Sequence, residues 1–247
     1  MTRMNEPLLT AVAALWGGAA GVLVPRPAHR FAVEPEESWR DTCPAGHPIT
    51  GPAGGWLGPA RCADGTRYGP STAAVALVTA LICATLAAAT GPRPELAVWL
   101  ALAPVAVLLG LVDLRVHRLP DVLTLPLAGA AVVLLGGAAL VPGHAGEWLT
   151  AVLGAVVLGG AYFLFFLVDP NGLGFGDVKL ALGLGAVLGW YGWGTVALGT
   201  LAGFLFGGLY GLALVVARRI GRRTAYPLGP SLIAGAYVAM LLGAYAA

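Results

Sequence analysis

Long apolar segments, separated by short polar connections, dominate the pattern of hydrophobic and polar positions along the chain. A helix that spans a bilayer needs about 20 mostly apolar residues, and eight segments approach that length. The pattern therefore predicts eight membrane-spanning helices, of which the sixth is the shortest. They lie at roughly 8–25, 72–90, 95–113, 121–141, 148–168, 177–190, 193–217 and 229–247.

The amino-acid composition indicates which class of protein has these apolar segments. Of the 247 residues, 58% are hydrophobic and only 11% are charged, and the mean hydropathy is +0.81. Soluble domains are usually about 25% charged, so an ordinary soluble fold is excluded. We expect an all-α polytopic membrane protein, with the lipid bilayer and not nucleic acid as its surroundings.

Lysine and arginine predict how the helices are oriented. With the N-terminus outside, only Arg3 and Arg93 of the 14 basic residues lie on the outer side. Cytoplasmic connections carry the excess of positive charge in membrane proteins, so both termini are predicted outside. The residues that fall on the inner side are Arg26, Arg30, Arg40, Arg61, Arg67, Arg115, Arg118, Lys179, Arg218, Arg219, Arg222 and Arg223.

The seventh segment carries a glycine every fourth residue, at Gly199, Gly203, Gly207 and Gly211. This spacing puts a smooth stripe on one helix face, typical of close helix packing in membranes. The aromatic residues before that segment, from Trp190 to Trp193, are expected to form an interfacial belt.

The connection between the first and second helices is long and contains two of the three cysteines. Cys43 and Cys62 each open a short stretch in which a paired cysteine would indicate zinc, but Gly46 and Gly65 stand at the partner positions. Cys43, His47 and Cys62 remain candidate metal ligands without a fourth protein ligand. The alternative is a loop with two reduced thiols, because three cysteines form no disulfide framework.

The stretch from Asn171 to Lys179 places three glycines just before Asp177, at the mouth of the sixth segment. A charged side chain at a membrane helix end is a functional candidate, since it must be solvated, paired or used. The alternative is an ordinary helix-start cap. A second carboxylate, Asp113, ends the third segment, and Asp121 begins the fourth, where we expect a helix-start carboxylate favoured by the helix dipole.

Two carboxylates that share a proton and hold one water are the apparatus of an aspartic peptidase. The ionised carboxylate takes a proton from the water, and the protonated one donates to the carbonyl oxygen. Because Asp177 begins a helix and Asp113 ends one, the dipoles favour Asp177 as the ionised base and Asp113 as the proton donor. The sequence alone does not bring the two side chains together.

Three stretches resemble the signatures of the type IV prepilin peptidase family, the membrane aspartic peptidases with a Gly-x-Gly-Asp motif. They are Leu111–Arg115 with Leu119–Asp121, Gly174–Leu180, and Pro227–Pro230. The resemblance implies that Asp113 and Asp177 are the catalytic aspartates. It assigns a supporting role in the motifs and backbone to Gly174, Gly176, Lys179, Pro227, Gly229 and Pro230.

The resemblance also implies a substrate and a place. Such enzymes cut the short basic leader from prepilins or pseudopilins at the cytoplasmic face of the inner membrane, as multi-pass proteins. Cleavage needs no cofactor. Bacterial members often also methylate the new N-terminus with S-adenosylmethionine, and they usually carry a four-cysteine zinc loop. Since Gly46 and Gly65 replace two of those cysteines here, we do not expect zinc, and S-adenosylmethionine is expected only if methylation is retained.

The chain is accordingly predicted to have two parts. Residues 1–71 comprise the first helix and the degenerate cysteine loop, and residues 72–247 form the peptidase domain. Two other interpretations stay open: a catalytically idle factor that assembles pili or secretion machinery, and a proton-coupled transporter that uses its membrane carboxylates as a relay.

Overall fold

A computed structural model describes residues 6–34, 36–170, 172–218 and 226–247. In these residues the chain is helical, with two isolated β-bridges and no strand, so the predicted all-α class is confirmed. The basic residues Arg3, Arg219, Arg222 and Arg223, and Asn171 of the glycine stretch, lie outside the described residues. The helices are α1 (Glu6–Leu23), α2 (Pro25–Arg30), α3 (Pro52–Gly55), α4 (Thr72–Thr90), α5 (Glu95–Val116), α6 (Asp121–Ala139), α7 (Trp148–Val168), α8 (Phe175–Trp190), α9 (Trp193–Val216) and α10 (Gly229–Ala246).

Each of the eight predicted segments coincides with a helix, but in the described part of the chain only seven spans, the first formed by α1 with α2, are long and apolar enough to cross a membrane. The remaining predicted segment, the sixth, corresponds to α8. This helix has 16 residues and is roughly 24 Å long at about 1.5 Å per residue. The chain is a multi-pass membrane protein, and the direction of its termini stays a prediction.

Residues 1–92 with 99–118 form one compact unit, and residues 93–98 with 119–247 form a second. In the first unit, α1 packs along α4. Small residues make this contact close, because a Cβ on Gly17 or Gly21 would overlap the backbone of α4 at Thr79 or Ala76.

Arg26, which follows α1, has a structural role in the long connection. Arg26 is buried, and its guanidinium donates hydrogen bonds to the carbonyl oxygens of Pro59, Thr50 and Leu57 at 3.1, 2.9 and 3.0 Å. A buried arginine needs partners for its N–H groups, and the loop carbonyls supply them for Nε and Nη1. The long connection therefore folds around this side chain.

In the second unit, α8 is the central helix. It packs against α6, α7, α9 and α10, and ten of its 16 residues are buried. Glycines make room for the neighbours: Gly185 meets Gly154 of α7 backbone to backbone, and a Cβ on Gly183 would lie 3.5 Å from the Cα of Ala128 in α6. Close packing of small residues is a usual source of helix association in membranes.

The predicted glycine stripe of α9 is confirmed. All four of its glycines are buried, and Gly203 and Gly207 face Leu232 and Leu228 at the start of α10. The aromatic belt stays a prediction; of its two tryptophans, Trp193 is 48% exposed and Trp190 only 1%. Trp190 is enclosed because the connection before α7 packs against its indole ring.

The contact between α9 and α10 predicts a difference between two glycines. A Cβ on Gly235 would overlap the backbone of Gly203, whereas a Cβ on Gly208 would meet nothing within 4 Å. We expect Gly235→Ala to lower the unfolding free energy by about 1–3 kcal/mol, as overpacking does. Gly208→Ala is the matched control and should leave stability unchanged or raised, because alanine favours helix. Thermal unfolding in detergent, followed by circular dichroism, measures both, and equal effects would contradict the packing.

Candidate active site

Asp177 lies in the first turn of α8 and is 9% exposed. Its Oδ2 accepts a hydrogen bond of 3.2 Å from the backbone N–H of Gly174, and its own N–H donates to the Gly174 carbonyl at 3.0 Å. The first amides of a helix have no partner within the helix, so a side chain reaching back from the third position satisfies one of them. The carboxylate is thus held by the start of the helix that carries it.

Gly176, next to Asp177, lies against the segment that leads into α6. A Cβ at this position would lie 3.1 Å from the Cβ of Leu119, and Leu119 is itself buried. The contact is tighter than ordinary van der Waals packing. A side chain at this position would therefore require Leu119 to move by a few tenths of an ångström.

Lys179 ends the same turn and is held from two sides. Its Nζ donates to Oδ1 of Asp121 at 2.5 Å and lies 4.6 Å from the centre of the Phe175 ring. Asp121 lies in the first turn of α6, as the sequence predicts. Its pairing with Lys179 was not predicted.

Asp113 lies in the first compact unit. It is 4% exposed and belongs to the last turn of α5, which runs on to Val116. The predicted helix end at residue 113 is therefore three residues too early. The helix ends where His117 takes up a left-handed conformation with φ 49°, its N–H donating to the Asp113 carbonyl at 2.8 Å.

The third signature stretch opens α10. Pro227 and Gly229 are buried, and Pro230 occupies the first turn of the helix, where its missing N–H has no consequence. Between them, Leu228 packs against Gly207 of α9. The contacts described for this stretch are those of helix packing.

Tyr162 of α7 is a buried tyrosine that the sequence analysis did not single out. It is 2% exposed and stacks on Phe204 of α9 with ring centres 5.6 Å apart. Within an apolar helix, a tyrosine gives no periodic or motif signal that would have identified it.

The two cysteines of the long connection lie together in matching hairpins. The N–H of Cys43 donates to the His47 carbonyl and that of Cys62 to the Thr66 carbonyl, each at 2.8 Å. Gly46 and Gly65 turn these hairpins in left-handed conformations, with φ of 81° and 85°, which glycine adopts without strain.

Cys43 and Cys62 form a disulfide, with Cα atoms 5.9 Å apart, so the expectation of two reduced thiols is wrong. The hairpins bring together residues whose separation of 19 in sequence gives no hint of pairing. With His47, the two sulfurs make a group of three donor atoms within 4.8 Å of one another. A four-cysteine zinc site does not fit this loop, because Gly46 and Gly65 offer no donor and the two sulfurs are bonded to each other.

Comparison with known proteins relates the chain to one protein family. The model of the type IV leader peptidase family matches residues 100–212, a range that contains both aspartates. No solved structure matches the chain.

Curated relatives cover more of the chain. A protein named prepilin leader peptidase/N-methyltransferase from Aeromonas salmonicida strain A449 is 36% identical over 219 residues, which is 83% of this chain and 72% of the relative. The protein of the same name from Aeromonas hydrophila is 34% identical over 218 residues, with the same coverage. That from Pseudomonas putida is 36% identical over 172 residues, covering 66% of this chain and 56% of the relative.

The similarity to the Aeromonas proteins runs through most of both chains, well beyond the Gly-x-Gly-Asp motif. The resemblance drawn from the three signature stretches is confirmed: the chain belongs to the type IV leader peptidase family.

Proposed function

We propose that the chain is a membrane aspartic endopeptidase that removes the short basic leader from type IV prepilin-like proteins at the cytoplasmic face of the inner membrane. One observation carries the proposal: Asp177 is a buried carboxylate fixed by its own helix start, inside the stretch that resembles the family's Gly-x-Gly-Asp signature. Relatives named prepilin leader peptidases support the substrate class. We infer that residues 72–247 form the peptidase domain.

In this proposal Asp113 and Asp177 hold one water between them. The water gives a proton to the ionised carboxylate and attacks the carbonyl carbon, while the protonated carboxylate donates to the carbonyl oxygen. The tetrahedral intermediate then collapses as its C–N bond breaks. The leaving amine takes the proton that the first carboxylate accepted, and the hydroxyl returns its proton to the second carboxylate. Asp177 is assigned as the base, because it lies at the positive end of the α8 dipole. Asp113 lies in the last turn of α5, where the negative end disfavours an ionised carboxylate, and is assigned as the donor. A resolved titration in which Asp113 ionises first would reverse these roles.

The first test removes each carboxylate in turn. We expect Asp113→Asn and Asp177→Asn each to lower cleavage by at least about a hundredfold, since each loses an acid–base group, with the protein still folded. The assay incubates membranes with a peptide that has a basic leader, a glycine and a hydrophobic helix, and reads the products by mass spectrometry.

Glu147→Gln is the matched control, because Glu147 is an exposed carboxylate directly before α7. It should cleave like the unchanged protein. Appreciable activity in either aspartate variant would contradict the proposed catalytic pair.

If the unchanged protein cuts none of several leader peptides, two other functions become more plausible. Proton-driven uptake in proteoliposomes would indicate a transporter, and pili restored in full by Asp113→Asn would indicate an assembly factor.

A second test concerns the backbone beside Asp177. Gly176→Val should reduce cleavage by about tenfold or more, because its side chain would press on Leu119 and shift the turn, and small misplacements lower rates strongly. Leu119→Ala in the same chain should restore part of the activity by making room. Gly194→Val, at an uncrowded glycine of α9, is the control. A fully active Gly176→Val enzyme would show that the close approach has no bearing on catalysis.

We propose further that cleavage needs no cofactor. The relatives are named N-methyltransferases, so a second activity with S-adenosylmethionine is the next question for this chain. The same peptide assay answers it. With S-adenosylmethionine added, a product heavier by one methyl group shows methylation, and an unmodified product shows cleavage alone.

We propose that the Cys43–Cys62 disulfide closes the loop in place of zinc. The cluster it joins is small, comprising the two cysteines, Ala60, Tyr68 and Ile49, and small cores usually need a covalent or metal link. Protein unfolded without reductant should then show one alkylated thiol, the free Cys83, and three after reduction. Three alkylated thiols without reductant, together with bound zinc, would contradict the disulfide.

A further inference from the structure

The start of α6 touches the first turn of α8 at two points, one on each side of Asp177 in the sequence. Leu119 packs on Gly176, and Asp121 accepts a hydrogen bond from Lys179 at 2.5 Å. Residues 119, 121, 176, 177 and 179 all belong to the second compact unit. The start of α6 therefore contacts the turn that carries the candidate catalytic carboxylate at two points.

The two partners of the ion pair differ in their surroundings. The Asp121 side chain is 59% exposed, whereas that of Lys179 is 17% exposed. The Lys179 ammonium lies over the ring of Phe175, which itself packs against Phe166 of α7 with ring centres 5.3 Å apart. A cation over an aromatic face is held by the ring quadrupole, so Lys179 has a fixed position and Asp121 supplies its counter-charge.

An ion pair with one partner this exposed contributes little to overall stability, because water screens it. Its effect is local. Lys179 follows Asp177 by two residues in the same helical turn, and the Oδ2 of Asp177 is itself tied to the backbone of Gly174. Loss of the Asp121 contact would remove one of the two points at which the start of α6 holds that turn.

From this geometry we infer that Asp121 is a positioning residue of the peptidase. It acts through Lys179, fixing the first turn of α8 so that the Asp177 carboxylate keeps its orientation. The inference rests on the proposed function. It extends the site from the two aspartates to a residue at the start of α6.

The test is a double-mutant cycle in the peptide assay, with Asp121→Asn, Lys179→Gln and the combination of both. If Asp121 acts through Lys179, Asp121→Asn should lower kcat by about ten- to a hundredfold, the size expected from a small misplacement. KM and the melting temperature should be unchanged. The double variant should be no slower than Lys179→Gln alone, because the two changes remove one interaction.

Asp121→Glu keeps the negative charge and should retain most of the activity. If Asp121→Asn lost activity because the protein misfolds, this rescue by the conservative variant would not be expected. Glu147→Gln again controls for removal of an exposed carboxylate at a helix start. Independent, multiplying effects of the two single variants would overturn the inference, as would an unchanged kcat in Asp121→Asn. A failure of the proposed function itself is distinguishable, since the unchanged protein would then cut no leader peptide.

Discussion

The hydrogen bond from the Gly174 amide to the Asp177 carboxylate is the interaction on which the rest of the candidate site depends. The first amides of a helix lack acceptors within the helix, and a buried carboxylate needs donors. Asp177 meets both requirements in one contact, and it does so while 9% exposed. A residue that caps its helix in this way is positioned by the backbone of that helix.

The glycines of the second unit serve the same helix. Gly154 and Gly185 let α7 and α8 meet backbone to backbone, and Gly203 and Gly235 do the same for α9 and α10. Large side chains at these places would separate the helices and loosen the enclosure of α8. The abundance of glycine in the chain, 37 residues, is thus partly a packing requirement, and only a few of these glycines turn the backbone.

The sequence predicts the helices well because a run of about 20 apolar residues is the length that a bilayer-spanning helix requires. It predicts Asp113 and Asp177 because a carboxylate at a membrane helix end stands out and because the motifs match a known family. It does not predict the Asp121–Lys179 pair, whose members are 58 residues apart, or the burial of Arg26 among loop carbonyls. These contacts depend on how helices and loops pack, and no local pattern encodes them. That Asp113 and Asp177 lie close together stays a prediction for the same reason.

The shortness of α8 has a consequence for how a substrate would be reached. At roughly 24 Å, the helix is about 6 Å shorter than a typical hydrocarbon core, whereas its neighbours α7 and α9 have 21 and 24 residues. If α8 crosses the bilayer, its two ends cannot both reach the bilayer surfaces, a mismatch that local thinning of the bilayer would relieve. A peptide bond next to a hydrophobic helix would then be cleaved at the membrane–water interface, while the apolar helix of the substrate stays in the lipid.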